Sequence, residues 1–397
     1  MGLSTLNRLL LVKGLRAFAD GYVSLLLPLY LTALGMSAFQ VGVIAAATLL
    51  GSGLLSLAVG MQAYRFRYRN LLLAAAVSMI ATGVGFATLS EFWPLLVIAA
   101  VGTLNPSSGD VSVFLPLEHA LLSQLARDED RTAVFARYSL IGALVAAVGA
   151  LFAGMPDLLA DALRIDRFAA WRAMFALYAL IGVAAALIYR GLPQAIAGTH
   201  EAAAPLRNSR KRVFTLAALF SLDAFGGGFV VQSLVALWLF QKFQLSPLVA
   251  GTIFFWTGVL SALSQLAAVH VAKRFGLVNT MVFTHLPANV FLVLVPFMPT
   301  LGWAIALLLA RSALSQMDVP TRSSYVMAVV PPEERAAAAS VTSVPRSLAS
   351  ALSPMLAGHL LGASGFGWPL VLAGGLKIVY DLLLLAMFRS VKPPEEG

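Results

Sequence analysis

The chain has 397 residues, of which 59% are hydrophobic and only 11% are charged, and its mean hydropathy is +0.86. A soluble domain carries about a quarter charged residues, so this composition excludes a water-soluble globule of this size. The net charge of +9 does not indicate a nucleic-acid partner, because the basic residues are scattered in short stretches between apolar runs. The lack of cysteine excludes disulfides and thiolate metal sites.

Twelve apolar runs follow one another along the chain, each long enough for a membrane-spanning helix, which needs about 20 apolar residues. The predicted spans are 9–34, 41–63, 71–90, 93–124, 133–156, 169–189, 213–240, 248–271, 280–300, 302–329, 336–363 and 367–388. The longest polar stretch is 190–212. The sequence therefore predicts an all-α membrane protein with an N-terminal six-helix bundle (1–192), a cytoplasmic linker (193–212) and a C-terminal six-helix bundle (213–397).

The Lys and Arg residues of the predicted loops lie mostly on one side of the membrane. Sixteen fall on the side of the N-terminus and three on the opposite side. Because loops rich in Lys and Arg stay in the cytoplasm, both termini are predicted to be cytoplasmic. We expect a multi-pass monomer surrounded by lipid, in a bacterial cytoplasmic (inner) membrane.

The two predicted bundles are related by a weak internal repeat. Residues 18–23 resemble residues 225–230, and further identities occur in the same order at near-constant shifts of 209 and 204 residues. They pair Ser37 with Ser246, Gly42 with Gly251, Pro116 with Pro320, Arg131 with Arg335, and Gly154 with Gly358. Two parallel six-helix repeats are typical of transporters, whose substrate site lies near mid-membrane between the repeats.

Three loop and helix segments resemble a known family. The first is the loop 60–69, in which Tyr64 stands where family members carry an acidic residue. The second is the corresponding loop of the second half, 273–276. The third runs from helix ten into the loop that follows it, 318–335. Through them the chain resembles the major facilitator superfamily over essentially its whole length. The resemblance implies two pseudo-symmetric six-helix bundles and secondary transport by alternating access, without a cofactor.

Helix one carries Lys13, Arg16 and Asp20, and spacings of three and four residues place them on one helix face. Ionisable residues inside a membrane usually face protein or a water-filled path. Asp20 is therefore a candidate for proton or substrate binding, with Lys13 and Arg16 beside it. The alternative is a static Arg16–Asp20 ion pair that only stabilises the bundle.

Helix ten carries a second polar stripe with Arg311, Asp318 and Arg322 at helical spacing. Arg311 is a candidate donor to an anionic or zwitterionic solute, because its guanidinium is a planar fork of hydrogen-bond donors. Asp318 is a candidate for the same site. The alternative is that Asp318 and Arg322 form an ion pair with each other and do not bind a solute.

Helices four and seven add three candidates for substrate or proton binding. Asp110 follows an Asn-Pro and Gly-containing break in helix four, whose freed backbone groups can face a solute path. Asp223 precedes three consecutive glycines in helix seven, and Gln232 follows them. The alternative reading of the helix-four segment is a kink whose side chains satisfy the opened backbone.

The repeat alignment also relates charged residues of opposite sign. Asp223 corresponds to Arg16, and Arg322 in helix ten corresponds to Glu118 in helix four. We therefore predict a cytoplasmic gate in which Glu118 and Arg322 attract each other across the cavity. Lys377 and Asp381, four residues apart on helix twelve, are instead predicted to form a peripheral structural pair.

Secondary transport of a small organic solute is the leading function, as proton-coupled export. The alternative within this class is uptake or exchange of an anionic or zwitterionic metabolite. No phosphate-binding loop and no hydrolase or zinc-protease motif occurs, so neither ATP as driver, catalytic residues nor a metal is expected. A membrane-embedded enzyme or a transport-dead receptor is the alternative from another class.

Overall fold

A computed structural model describes residues 4–62, 66–107, 112–125, 131–193, 206–207, 209–389 and 391 of the chain. Every element of regular secondary structure in these residues is helical. The all-α prediction is therefore confirmed, and each of the twelve predicted spans coincides with a helical segment.

The first six segments match the first six predicted spans. They are α1 (Thr5–Ala33), α2 (Ala38–Gln62), α3 (Tyr68–Thr88), α4 (Phe92–Val101 and Phe114–Leu125), α5 (Arg131–Leu151, a 3-10 turn at Phe152–Gly154, and Met155–Leu163) and α6 (Arg167–Arg190).

The second six segments follow in the same way. They are α7 (Arg210–Gly228 and Gln232–Phe243), α8 (Pro247–Phe275), α9 (Leu277–Leu294, with a 3-10 turn at Val295–Phe297), α10 (Leu301–Ser315 and Asp318–Ala328), α11 (Arg335–Ala363) and α12 (Trp368–Phe388).

Three predicted spans, those of α4, α7 and α10, are interrupted in the structure. In α4 the side-chain oxygen of Asn105 accepts hydrogen bonds from the backbone nitrogen (3.1 Å) and hydroxyl (2.8 Å) of Ser107. Such local bonds compete with helical ones, and they lie in the gap between the two parts of α4, where Pro106 also lacks a backbone donor. In α7 the first part ends at Gly228, after three glycines that each have low helix propensity.

Eight helices of the described residues are long and apolar enough to cross a membrane. Of the other four segments, α4 and α10 are interrupted, while α1 and α11 carry charged residues within their length. Large apolar side chains remain exposed on the outside of the helices, including Trp93 (72%) and Leu180 (63%). Exposed apolar side chains of this size are expected where lipid is the solvent.

The chain divides into two compact units, Met1–His200 with Gln232–Phe255, and Glu201–Val231 with Trp256–Gly397. The second part of α7 and the start of α8 thus belong to the first unit. There the backbone nitrogen of Ser233 donates to the carbonyl of Pro106 at 2.9 Å. The predicted domain boundaries at 192 and 213 follow the chain order of the helices and stay a prediction.

Glycines allow the helices of the first unit to pack closely. A Cβ atom added to Gly21 of α1 would lie 2.1 Å from the carbonyl oxygen of Ala146 in α5. One added to Gly149 of α5 would lie 2.2 Å from the carbonyl oxygen of Phe18 in α1. Small residues at such contacts are typical of membrane helices, whose association depends on close van der Waals packing.

Candidate functional site

Each unit contains a network of charged side chains, and the network of the first unit is centred on Glu118. This residue of α4 is fully buried, and its Oε2 atom lies 2.5 Å from Nη2 of Arg16 in α1. The hydroxyl of Tyr189 donates to Oε1 at 2.5 Å, and the hydroxyl of Tyr138 donates to Oε2. An arginine and two tyrosines thus compensate the carboxylate for its lost hydration.

Arg16 has further contacts that fix its position. Its guanidinium lies 3.9 Å from the ring centroid of Phe114, and Nη1 lies 3.3 Å from the hydroxyl of Ser112. Lys13, one turn away, lies with its ammonium 4.8 Å from the ring centroid of Tyr138. Asp20 is half-buried one turn further along α1, where its charge interacts with that of Arg16. The predicted α1 stripe therefore lies on the inner face of the first unit.

The network of the second unit is centred on Asp223 in α7. Its carboxylate oxygens lie 2.6 Å from Nζ of Lys377 in α12 and 2.9 Å from Nη1 of Arg322 in α10. Nη2 of Arg322 lies 3.1 Å from Asp318, so the expected pair within α10 exists but is shared with α7. Three helices are therefore joined by ion pairs among buried side chains.

A histidine connects this network to a second carboxylate. Nδ1 of His285 in α9 lies 2.9 Å from Oδ1 of Asp381 in α12, and Nε2 lies 3.9 Å from Oδ1 of Asp223. The amide of Asn289 donates to Oδ2 of Asp381 at 2.9 Å. Asp381 is fully buried.

The predicted peripheral pair of Lys377 and Asp381 is wrong. Both side chains are buried, with exposures of 7% and 0%, and each has a different partner. Residues four apart on a helix share one face, and on α12 that face points into the unit. Lys377 there reaches Asp223 on α7, and Asp381 reaches His285 on α9.

Two arginines of the second unit are not neutralised by an ion pair within hydrogen-bonding distance among the described residues. Arg311 of α10 is half-buried, and its Nε atom is buried without a hydrogen-bond partner in that part of the chain. Arg346 of α11 is exposed, although its charge interacts with those of Arg322, Asp223 and Asp318. The positive charge of these two side chains is therefore not balanced by a carboxylate at contact distance in that part of the chain.

The two networks occupy corresponding positions in the repeat. In the first repeat the cation Arg16 of α1 pairs with the anion Glu118 of α4. In the second repeat the anion Asp223 of α7 pairs with the cation Arg322 of α10, so each position carries the opposite charge. The alignment of Asp223 with Arg16 and of Arg322 with Glu118 anticipated this relation. Each charge has its partner within its own unit, and the gate between Glu118 and Arg322 stays a prediction.

Two predicted candidates do not belong to either network as described. Gln232 is half-buried at the start of the second part of α7, and it lies in the first unit rather than with Asp223. Asp110 falls outside the described residues. No group of three or more His, Cys, Asp or Glu side chains suited to a metal occurs in the described part of the chain.

Sequence reasoning missed several members of the networks. Tyr138 and Tyr189 give no signal in an apolar run, because tyrosine is also common in membrane proteins at the interfaces, and Asn289 is a single uncharged residue. Arg346 lies within the predicted span 336–363, and an arginine inside a span is itself a signal of function. His285 has no metal-ligand spacing to another histidine, and its sequence neighbours do not indicate that it meets a carboxylate of α12.

Comparison with known proteins identifies the family. The sequence pattern of the Major Facilitator Superfamily matches residues 9–237 and 216–397. An uncharacterised membrane protein of Saccharomyces cerevisiae, YJR124C, is 25% identical over 413 residues, which cover 95% of this chain and 92% of that protein.

Solved structures of transporters share the fold. The nucleoside transporter NupG has a TM-score of 0.74 at 13% identity, and the match covers 98% of this chain and 100% of that one. The human organic anion transporter MFSD10 (TETRAN) has a TM-score of 0.63 at 20% identity, with 96% of this chain and 100% of that one covered. The two pattern matches together span nearly the whole sequence, so the chain belongs to the major facilitator superfamily and is an integral, multi-pass membrane protein.

Proposed function

We propose that this chain is a secondary transporter that moves a small organic anion across the membrane by alternating access. The family and the transporters that share its fold support secondary transport. The anionic class of the solute rests on the charges of the second unit, and above all on Arg311.

The network of the second unit has more cationic than anionic side chains. Four cations, Arg311, Arg322, Arg346 and Lys377, accompany three carboxylates, Asp223, Asp318 and Asp381. The surplus positive charge has no carboxylate at contact distance among the described residues, and a bound anion would supply that partner. The Nε–H donor of Arg311 has no acceptor among the described residues, and a planar fork of donors suits a carboxylate or a phosphate.

The likeness to MFSD10 gives this proposal a parallel, since that protein is named as an organic anion transporter. We include in the proposal cytoplasmic termini, which follow from the distribution of Lys and Arg, and a bacterial inner membrane. The curated relative comes from a yeast and does not bear on the choice of a bacterial membrane.

The second candidate is proton-coupled export of a lipophilic cation, with Asp20 as the shared site for proton and substrate. Its support is the half-buried carboxylate of Asp20 in α1, next to the close contact at Gly21. The proximity of Lys13 and Arg16 on the same helix face disfavours a cation there, because like charges repel.

Thermal stabilisation of the purified protein distinguishes the two candidates. We expect benzoate, glucuronate or glycerol 3-phosphate to raise the melting temperature, because a ligand that binds only the folded state stabilises it, by about 2.7 kcal/mol at a hundred times its dissociation constant. Arg311→Ala should abolish the shift and Arg311→Lys should weaken it. The exposed Arg389 at the end of α12 provides the control, as Arg389→Ala should keep the full shift.

A different pattern would contradict the anion proposal. Stabilisation by tetraphenylphosphonium that is lost in Asp20→Asn would favour cation export instead. Counterflow of the stabilising anion in proteoliposomes, recovered chemically unchanged, then separates a transporter from an enzyme or a receptor.

A further inference from the structure

The contact between His285 and Asp381 is the feature of the second unit that anion binding does not explain. The imidazole is 4% exposed and lies between two carboxylates, with Nδ1 2.9 Å from Asp381 and Nε2 3.9 Å from Asp223. Asn289, 1% exposed, donates to the other oxygen of Asp381. Each ring nitrogen therefore faces a carboxylate oxygen, and Nδ1 also lies 3.1 Å from the amide nitrogen of Asn289.

This geometry is suited to one exchangeable proton. With a single ring proton on Nδ1, the bond to Asp381 forms, but the lone pair of Nε2 then faces the carboxylate of Asp223. With the single proton on Nε2, the amide of Asn289 can donate to Nδ1, but the lone pair of Nδ1 then faces the carboxylate of Asp381. A second proton removes this conflict, because Nε2–H then points towards Asp223. The pair can hold the same two protons in a second way. One proton then lies on Asp381, which donates to Nδ1, and the other lies on Nε2 of the ring. Both forms are neutral as a pair, and loss of the proton leaves the pair with one negative charge.

We propose that His285 and Asp381 form a proton-binding site, and that its proton binds together with the anionic solute, so that both cross the membrane in the same direction. The second half of this inference rests on the proposed function. The proton arrives from water, forms an N–H or O–H bond within the pair and returns to water when that bond breaks. No electron is transferred.

Charged groups on every neighbouring helix bear on this proton. They are Asp223 from α7, Arg311, Asp318 and Arg322 from α10, Arg346 from α11, and Lys377 from α12; the neutral ring of Tyr380 in α12 packs edge-on against the imidazole. Lys377 and Arg322 both bind Asp223, so they hold this carboxylate in place beside Nε2. The proton therefore adds its charge to a fixed network.

The coupling to the anion follows from this placement. Arg311 and Arg346 interact electrostatically with the same Asp223 that faces His285. A proton on the pair adds one positive charge near these two arginines and so favours an anion there. Because such coupling is reciprocal, the anion must strengthen proton binding by the same factor. Co-binding of this kind leads to symport rather than to exchange.

The proton site can be tested without any substrate. Nitrogen chemical shifts of the ring-labelled histidines, measured by solid-state NMR in proteoliposomes, report ring protonation and tautomer directly. The chain has five histidines, and His285→Gln assigns the resonance of interest. We expect His285 to gain a ring proton or change tautomer between about pH 9 and about pH 5, and Asp381→Asn to change that transition. An unchanged ring over this range, or a transition that is the same in Asp381→Asn, would overturn the proton site.

The coupling is tested by binding of benzoate and glucuronate at two pH values, because these probes keep their charge, whereas a phosphate monoester titrates at about pH 6. Wild-type protein should bind a stabilising anion about tenfold more tightly at about pH 6 than at about pH 8, within the usual range of coupling between sites. His285→Gln should remove this difference, whereas His270→Gln and His359→Gln, at exposed positions of α8 and α11, should keep it.

The outcomes separate the two proposals. Binding that is equally strong at both pH values would overturn symport while leaving an anion transporter. If none of benzoate, glucuronate and glycerol 3-phosphate binds at either pH, the proposed function and the coupling that rests on it fail together. The NMR result then still decides the proton site.

Discussion

Asp223 is the residue on which the ion pairs of the second unit converge. Its side chain is buried and binds Lys377 at 2.6 Å and Arg322 at 2.9 Å. Removal of one partner of a buried ion pair leaves a charge with neither water nor a counter-ion, which costs about 3–5 kcal/mol. We therefore expect Asp223→Asn to lower the free energy of unfolding by an amount in this range, measured by chemical denaturation in detergent.

A matched control for this substitution exists on the surface of the first unit. Asp161 pairs with Arg167 at 3.3 Å, but both side chains are more than 60% exposed. Exposed ion pairs contribute about 0–1 kcal/mol, so Asp161→Asn should change stability little. Equal effects of the two substitutions would show that the Asp223 pairs are not the desolvated interactions that the structure describes. The double variant Asp223→Asn/Lys377→Met also removes one of the cations left unpaired, so it should recover part of the lost free energy of unfolding.

The sequence predicts which residues bear charge inside the membrane, but not which of them meet. Arg16, Glu118, Asp223 and Arg322 all stand out because ionisable residues are rare in apolar helices. Their partners depend on which helices are neighbours and on how each helix is rotated, and neither follows from periodicity. For the same reason spacing alone pairs Asp381 with its neighbour in sequence, although its partner lies on another helix.

At the scale of the helices, apolar length alone predicts twelve segments, while their interruptions depend on local bonds and on packing. The break in α4 has a visible signal in Asn105 and Pro106. The glycine at position 228, where the first part of α7 ends, has a packing cause as well, because a Cβ there would lie 2.1 Å from the hydroxyl of Ser353 in α11. A sequence shows that a glycine is present, but only the packed structure shows what the missing side chain makes room for.

Close contact between α1 and α5 should be sensitive to a single methyl group. In Gly21→Ala the new Cβ would lie 2.1 Å from the carbonyl oxygen of Ala146, so backbone must move. Overpacking of this kind costs about 1–3 kcal/mol, and we expect a lower melting temperature. Gly375→Ala in α12 is the matched control, since nothing in the described part of the chain lies within 4 Å of its Cβ position and alanine favours helix. If both variants melted alike, the α1–α5 contact would be looser than described.

At the scale of the whole molecule, the family membership accounts for twelve helices in two repeats, whereas orientation rests on the distribution of Lys and Arg. Sixteen basic residues lie in the loops of the predicted cytoplasmic side and three on the opposite side. A bias this large orients short-looped membrane proteins reliably, because the loops rich in Lys and Arg are retained in the cytoplasm. The orientation in turn decides which end of the charge networks faces the cell interior.

The natural chain suits a direct test of this orientation, because it contains no cysteine and single cysteines can be introduced without further changes. In intact cells an impermeant thiol reagent should label Asp161→Cys and Gln241→Cys, at exposed positions that the bias places outside. Arg210→Cys and Arg389→Cys, exposed at the predicted cytoplasmic ends of α7 and α12, should react only after permeabilisation. The opposite pattern would invert the topology, so the excess of positive charge would face outward and the predicted gate of Glu118 and Arg322 would close the cavity towards the exterior.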